Sequence, residues 1–120
     1  MSFFNNADGT PEAPVCTLLT TGTITTVYTA ADNSQILDTG TFVNPTNAAV
    51  DCFLYWRDVT GATDALIWVG TVKSKGVDGP GNLNAAFPVK LNKGDIIKAT
   101  AANGVWVNLL FVKNSRTRPA

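Results

Sequence analysis

The sequence predicts an all-β sandwich, on three observations. From Thr20 onward Thr, Val, Ile and aromatic residues dominate; no stretch sustains a 3.6-residue apolar period; and Gly, Asn, Asp and Pro break the chain at short intervals. Turns spaced about every eight to twelve residues predict roughly seven short strands. The expected fold is a single antiparallel β-sandwich, immunoglobulin-like or jelly-roll-like, without the Cys…Trp…Cys signature of antibody domains. Residues 1–20 are expected to form an extended N-terminal arm, 21–113 the sandwich and 114–120 a flexible tail.

A chain of 120 residues, 45% hydrophobic and 15% charged, fits one domain with a real core. At this size folding buries roughly two-thirds of the unfolded surface, so neither metal nor disulfide is required. Nine basic and nine acidic residues leave no net charge, which argues against nucleic acid as a partner, since that partner demands clustered Lys and Arg. Near-neutrality also gives little protection against self-association, as suits a protein packed against copies of itself. The N-terminus "MSFFNNADGTPEAPVC" lacks a basic region followed by an apolar one, and no apolar run approaches a membrane span. Synthesis in the cytoplasm, with no membrane partner, is the expectation.

In the arm, Asn5, Asn6, Asp8, Gly9, Thr10, Pro11 and Pro14 oppose any regular element, while Phe3 and Phe4 have no local cover. A frayed terminus and a segment that docks its phenylalanines on a neighbouring subunit both fit. The first strand spans about Thr23 to Thr29, with Ile24, Thr26 and Tyr28 on one face. The second spans about Gln35 to Val43 and ends in the "NPTN" turn, where Pro45 fixes φ. In the third, Ala49 to Asp58, Val50, Cys52, Leu54 and Trp56 form a core face, and Asp51, Phe53, Tyr55 and Arg57 a mixed face suited to partial cover. The fourth, Ala65 to Val72, is apolar on both faces and so predicts a central strand. After the Gly-rich loop from Lys73 to Asn82, a fifth strand from about Leu83 to Val89 carries Pro88, which places it at an edge or strand end. The sixth and seventh strands flank Asn103-Gly104, a dipeptide suited to a type I′ hairpin. Surplus apolar faces in several strands, Trp106 among them, point to a subunit interface.

Catalytic signals are missing. Without histidine, triads, most general-base schemes and zinc sites fail. Cys16 and Cys52 lack a His partner and are expected to be buried or half-buried thiols with no disulfide. Glu12 is the single glutamate, so no carboxylate pair for glycoside hydrolysis exists around Glu. Asp58, Asp64 and Asp78 fall in loops without the D-x-D-x-D spacing of a calcium site and are expected to form turns. "GVDGPG" lacks the Gly-Lys-Ser/Thr end of a phosphate loop, and "KGD" at Lys93 to Asp95 is most simply a turn. The expectation is a non-enzyme with no cofactor or metal.

The segments "TTVYTAADNSQI", "TFVNPTNAAVDCFLYWRD", "FPVKLNKGDIIKATAANG" and "VWVNLLFV" together resemble a group of small tailed-bacteriophage virion proteins, across roughly Thr25 to Val112. The resemblance implies a non-enzymatic structural module assembling on a phage particle, as an oligomer, against the major capsid protein or other virion subunits. A capsid decoration or cement role is the first expectation. The alternatives are a tail or adsorption-apparatus component, with the loop from Lys73 to Asn82 on a host glycan, and a carbohydrate-binding module with tryptophan platforms. Interface candidates are Phe3, Phe4, Asp51, Phe53, Tyr55, Arg57 and Trp106.

Overall fold

A computed structural model describes residues 10–20, 23–61, 63–77, 79, 81–101 and 104–113. Nine strands are present among them: β1 (Thr10–Pro11), β2 (Val15–Leu19), β3 (Thr25–Thr29), β4 (Gln35–Asn44), β5 (Val50–Arg57), β6 (Ala65–Val72), β7 (Gly81–Leu91), β8 (Ile96–Thr100) and β9 (Val105–Lys113). They form two antiparallel sheets. The first runs β1-β9-β4-β7 with β2 also on β9, and the second runs β3-β8-β5-β6.

The pairing follows one rule. β2 pairs with β9, β3 with β8, β4 with β7 and β5 with β6, as if the chain were folded once at the β5–β6 turn and zipped back on itself. Ladders β4–β9 and β5–β8 then roll this double ribbon into two sheets of a jelly roll. The sandwich expectation holds, and the topology selects jelly roll over immunoglobulin.

Side-chain alternation places the core. Leu37, Phe42, Leu91, Val105, Val107, Leu109 and Phe111 of the first sheet face Val50, Cys52, Leu54, Val72, Ile97 and Ala99 of the second, all buried. Two aromatic pairs tie the sheets together: Phe42 stacks on Trp68 at 5.0 Å between centroids, and Tyr28 meets Phe111 at 4.2 Å.

Several expectations change. Part of the expected arm is strand, because β2 completes the edge of β9 and buries Leu19. The expected pairing of the last two strands as a hairpin is overturned, since β8 and β9 lie in different sheets; Asn103 lies outside the described residues, while Gly104 takes a positive φ of 91° and its N–H donates to the Leu19 carbonyl. β6 is an edge strand, not a central one. Its ladder to β5 slips between Leu54 and Tyr55, so Ile67 and Trp68 both pack on the core while Leu66 and Val69 point outward. A similar slip in β3 between Thr26 and Tyr28 puts Val27 and Tyr28 against the core and leaves Thr26 exposed. Pro88 does lie on an edge strand, β7, where the ladder to β4 shifts register.

Of the seven connections from β2 to β9, six change sheet and one, β5 to β6, is a hairpin. Crossing strips backbone groups of their ladder partners, and three buried polar side chains stand at these crossings: Gln35, Asn44 and Asp95. Asp95, fully buried, accepts from Val59 N at 3.0 Å, Asn92 N at 2.9 Å and Trp56 Nε1 at 3.2 Å, and its carbonyl accepts from Ala30 N at 2.8 Å. It therefore joins the turn before β8 to the ends of β5 and β3. Gly94 beside it has φ of 90°, and a Cβ there would lie 2.5 Å from Val59 Cγ2. Asn44 donates to Ala48 O and Lys73 O and accepts from Thr46 N and Thr46 Oγ1, holding the β4–β5 turn against the end of β6.

Replacing Asp95 by Ala removes the acceptor of three part-buried hydrogen bonds, a loss expected to cost about 3 kcal/mol and to lower the melting temperature by roughly 10 °C. Asp95→Asn is expected to fare nearly as badly, because both carboxylate oxygens accept N–H donors and an amide offers only one acceptor atom. Thermal denaturation followed by circular dichroism measures both; a melting temperature unchanged in Asp95→Asn overturns this account.

Candidate functional site

The outer face of the second sheet gathers four of the sequence-predicted residues. Direct cross-strand partners share a face, so the pairs Asp51–Thr71, Phe53–Val69 and Tyr55–Leu66 place these six side chains outward on β5 and β6. On the other flank Tyr55 pairs with Lys98 and Arg57 with Ile96 of β8. Leu66 and Val69 are each 54% exposed, and Phe53 and Tyr55 are half-buried between their neighbours. Four apolar side chains thus form one open patch at the centre of the face.

Charge lies at its two ends. At one, Asp51 Oδ1 accepts from Thr71 Oγ1 at 2.6 Å. At the other, Asp64 bridges two cations, Arg57 Nε at 2.9 Å and Lys98 Nζ at 3.2 Å. Two positive groups share one carboxylate there, so this cluster on the face carries one excess positive charge. Asp64 is an ion-pair partner as well as a loop residue, whereas Asp58 is a turn former: Gly61 N donates to its carbonyl and Thr60 Oγ1 to its carboxylate.

Trp106 is not part of that patch. It lies on the outer face of the first sheet, 41% exposed, between Leu18 at 40% and half-buried Val43. Phe3, Phe4 and Asp78 lie outside the described residues. The loop after β6 leaves the end of the sandwich opposite Asp58 and Asp64, because Val72 pairs with Val50 at the start of β5; Gly76 and Gly79 bond each other's backbone across it.

Both cysteines are free. Cys52 is fully buried, and burial, reinforced by the Asp51 charge, pushes its thiol up to about 11, so it is protonated and inert at neutral pH. Cys16 was expected to be at least half-buried and is exposed instead, because it sits at an outward position of edge strand β2. Among the described residues no group of three His, Cys, Asp or Glu side chains could hold a metal ion.

Sequence reasoning missed the polar cluster at the end of the sandwich where β4 begins. Buried Gln35 donates to Glu12 Oε1 at 2.8 Å and to the Tyr28 hydroxyl, and accepts from Ala31 N at 2.9 Å. A shallow pocket lined by Glu12, Ala13, Val15, Tyr28 and Phe111 opens beside it. Nearby, Asp32 is lowered to about 2, first by hydrogen bonds from the hydroxyl and backbone of Ser34, then by Lys113 at 3.0 Å; Lys113 is raised in return by Asp32. The Asx pattern Asp-x-Ser was the available signal for the Ser34 bonds, but Lys113 is a non-local partner.

No family model matches the chain, and no curated protein matches it by sequence. Solved structures do match in fold. A capsid structure of Helicobacter pylori bacteriophage KHP30 aligns with a TM-score of 0.56 at 11% identity, covering 88% of this chain and 90% of that one. The nucleoplasmin-like N-terminal domain of Drosophila FKBP39 aligns at 0.49 and 11% identity, over 93% and 95% of the two chains. A carbohydrate-binding module, CsCBM6-3 of Clostridium stercorarium in complex with cellobiose, aligns at 0.42 and 15% identity, over 91% and 90%. At 11% identity the likeness to the phage capsid structure is one of β-sandwich fold alone.

The depressed Asp32 value makes a pH prediction. A carboxylate with a folded-state value below the ordinary 3.8 contributes stability that is present above that pH and is lost as pH falls towards about 2. Ser34→Ala removes the largest cause, so the Asp32 value is expected to rise towards 3.8 in an NMR titration of its carboxyl carbon. No rise would mean that the Ser34 hydroxyl does not hold Asp32 down.

Proposed function

We propose that this chain is a bacteriophage virion structural protein, a capsid-decoration module that binds the assembled shell and acts without catalysis. One observation carries the reading: the Phe53, Tyr55, Leu66 and Val69 patch, an apolar surface left open at the centre of a regular sheet face and closed at both ends by charge. Isolated exposed apolar residues are ordinary, but a contiguous patch with a polar rim is the composition of a protein interface. The jelly-roll topology supports the reading, as does the fold likeness to a phage capsid structure. The absence of histidine from the sequence agrees with a role in binding.

The mechanism is mass action. A module that binds the closed shell and not its open form stabilises closure by RT ln(1 + [L]/Kd), which is about 2.7 kcal/mol at a hundredfold excess over Kd. Phe3 and Phe4 serve as the docking residues of the N-terminal segment, reaching a neighbouring subunit. The partners are copies of the chain and other virion subunits, and the protein resides in the virion after synthesis in the host cytoplasm. A sugar-binding reading rests on Trp106, an indole on an open face beside Asn108; it requires a measurable affinity for free glycans.

Electron microscopy of purified particles carrying the labelled protein tests the proposal. Density over the shell is expected; density confined to the tail, or glycan-array binding by a protein with no shell affinity, overturns it. Removing residues 1–9 is expected to reduce shell occupancy several-fold while leaving the melting temperature unchanged, since it spares every paired strand among the described residues. Full occupancy by the truncated chain would rule out docking by Phe3 and Phe4.

A further inference from the structure

The order of chemical types along the outer face of β5 is its own mirror complement. Counting outward from inward-facing Leu54, the sequence places Phe53 and Tyr55 one step away on either side, then Asp51 and Arg57 three residues away on either side. On β6 the cross-strand partners of the two aromatics, Val69 and Leu66, are equally exposed. The acid end and the basic end are therefore equidistant from the centre of one apolar patch.

We infer that this face pairs with the same face of a second copy, about a two-fold axis lying in the interface plane and crossing β5 at Leu54. That operation lays β5 on β5 and β6 on β6 with strand directions reversed. Phe53 then meets Tyr55 of the partner subunit, Val69 meets the partner's Leu66, and Asp51 meets the basic end formed by the partner's Arg57 and Lys98. An isologous interface must be self-complementary in this manner, each contact occurring twice. A face carrying one sign of charge at both ends would repel its own copy, and this face carries opposite signs.

Geometry permits the pairing. Three residues place the charged ends about 10 Å from the axis. Face-packed sheets cross at about 30°, which displaces those ends by roughly 5 Å, a gap within the reach of an Arg or Lys side chain. Size sets the strength. Two strands of eight residues and two of five, about 4.8 Å apart at about 3.3 Å per residue, give a projected face of roughly 400 Å², below the about 800 Å² per partner that a standard specific interface buries. The dimer is consequently weak in free solution and is favoured by the high local concentration of an assembling shell. This pairing deepens the assembly reading by naming one of its interfaces.

Sedimentation of the full chain across a wide concentration range tests it. A monomer–dimer equilibrium is expected. Asp51→Arg and Arg57→Asp are each expected to weaken it about tenfold, and the double exchange to restore it. Val69→Lys, a change at a half-exposed edge-strand position that leaves the fold intact by circular dichroism, is expected to abolish it. A chain that stays monomeric at millimolar concentration, a double exchange no tighter than either single variant, or a Val69→Lys protein that still dimerises overturns the pairing. The two readings fail separately: shell binding by a strictly monomeric protein removes the pairing alone, whereas a reversible dimer with no shell affinity removes the assembly reading alone.

Discussion

A chain that changes sheet at six of seven connections must satisfy its backbone at each crossing without the help of a ladder. At three of the six crossings that constraint is met from within by polar side chains, which are the buried polar side chains among the described residues. Gln35 serves the β3–β4 crossing, Asn44 the β4–β5 crossing and Asp95 the β7–β8 crossing. Each accepts from backbone N–H groups of its own turn, and each also reaches an element distant in sequence: Gln35 to Glu12, Asn44 to Lys73, Asp95 to Trp56 and Val59. The crossings are thus anchored to the parts of the sandwich they must hold together. A buried polar group left unpaired costs more than a typical hydrogen bond gains, so these sites favour one topology over its competitors.

Once the crossings are fixed, the sheet faces follow. Inward positions close over the Phe42–Trp68 and Tyr28–Phe111 contacts, and outward positions inherit whatever remains. Register slips in β3 and β6 redistribute that remainder. In β6 the slip draws Ile67 inward beside Trp68 and leaves Leu66 and Val69 outward, opposite Tyr55 and Phe53. One extra residue in an edge strand converts a strand that looks apolar on both sides into half of an open patch. The surface on which the functional proposal stands is therefore a consequence of the same irregularity that completes the core.

Particular elements differ in how legible they were. The outward set Asp51, Phe53, Tyr55 and Arg57 could be read directly, because an unbroken run from Val50 to Arg57 alternates faces with no slip on its β8 side. Cys52 on the core face was legible for the same reason. Leu66 and Val69 were not, since a bulge has no local signature in a run of apolar residues. Asp95 read as an ordinary turn residue: its letters show the turn, while its fourfold role depends on Trp56, Val59 and Ala30 arriving from elsewhere. Val15 to Leu19 was masked by the prolines before it, and only the open edge of β9 gives that short stretch a partner.

What the sequence determined by itself is local: two-residue alternation, the places where the chain turns, a core of adequate size, and the absence of histidine chemistry. What only the tertiary structure decided is which sheet each strand joins after its turn. The positive φ of Gly104 serves a two-residue hairpin and a crossover equally well, and nothing within a few residues distinguishes them. The choice falls to long-range ladders, β2 with β9 and β3 with β8, whose hydrogen bonds and buried faces form only when strands far apart in the chain are side by side.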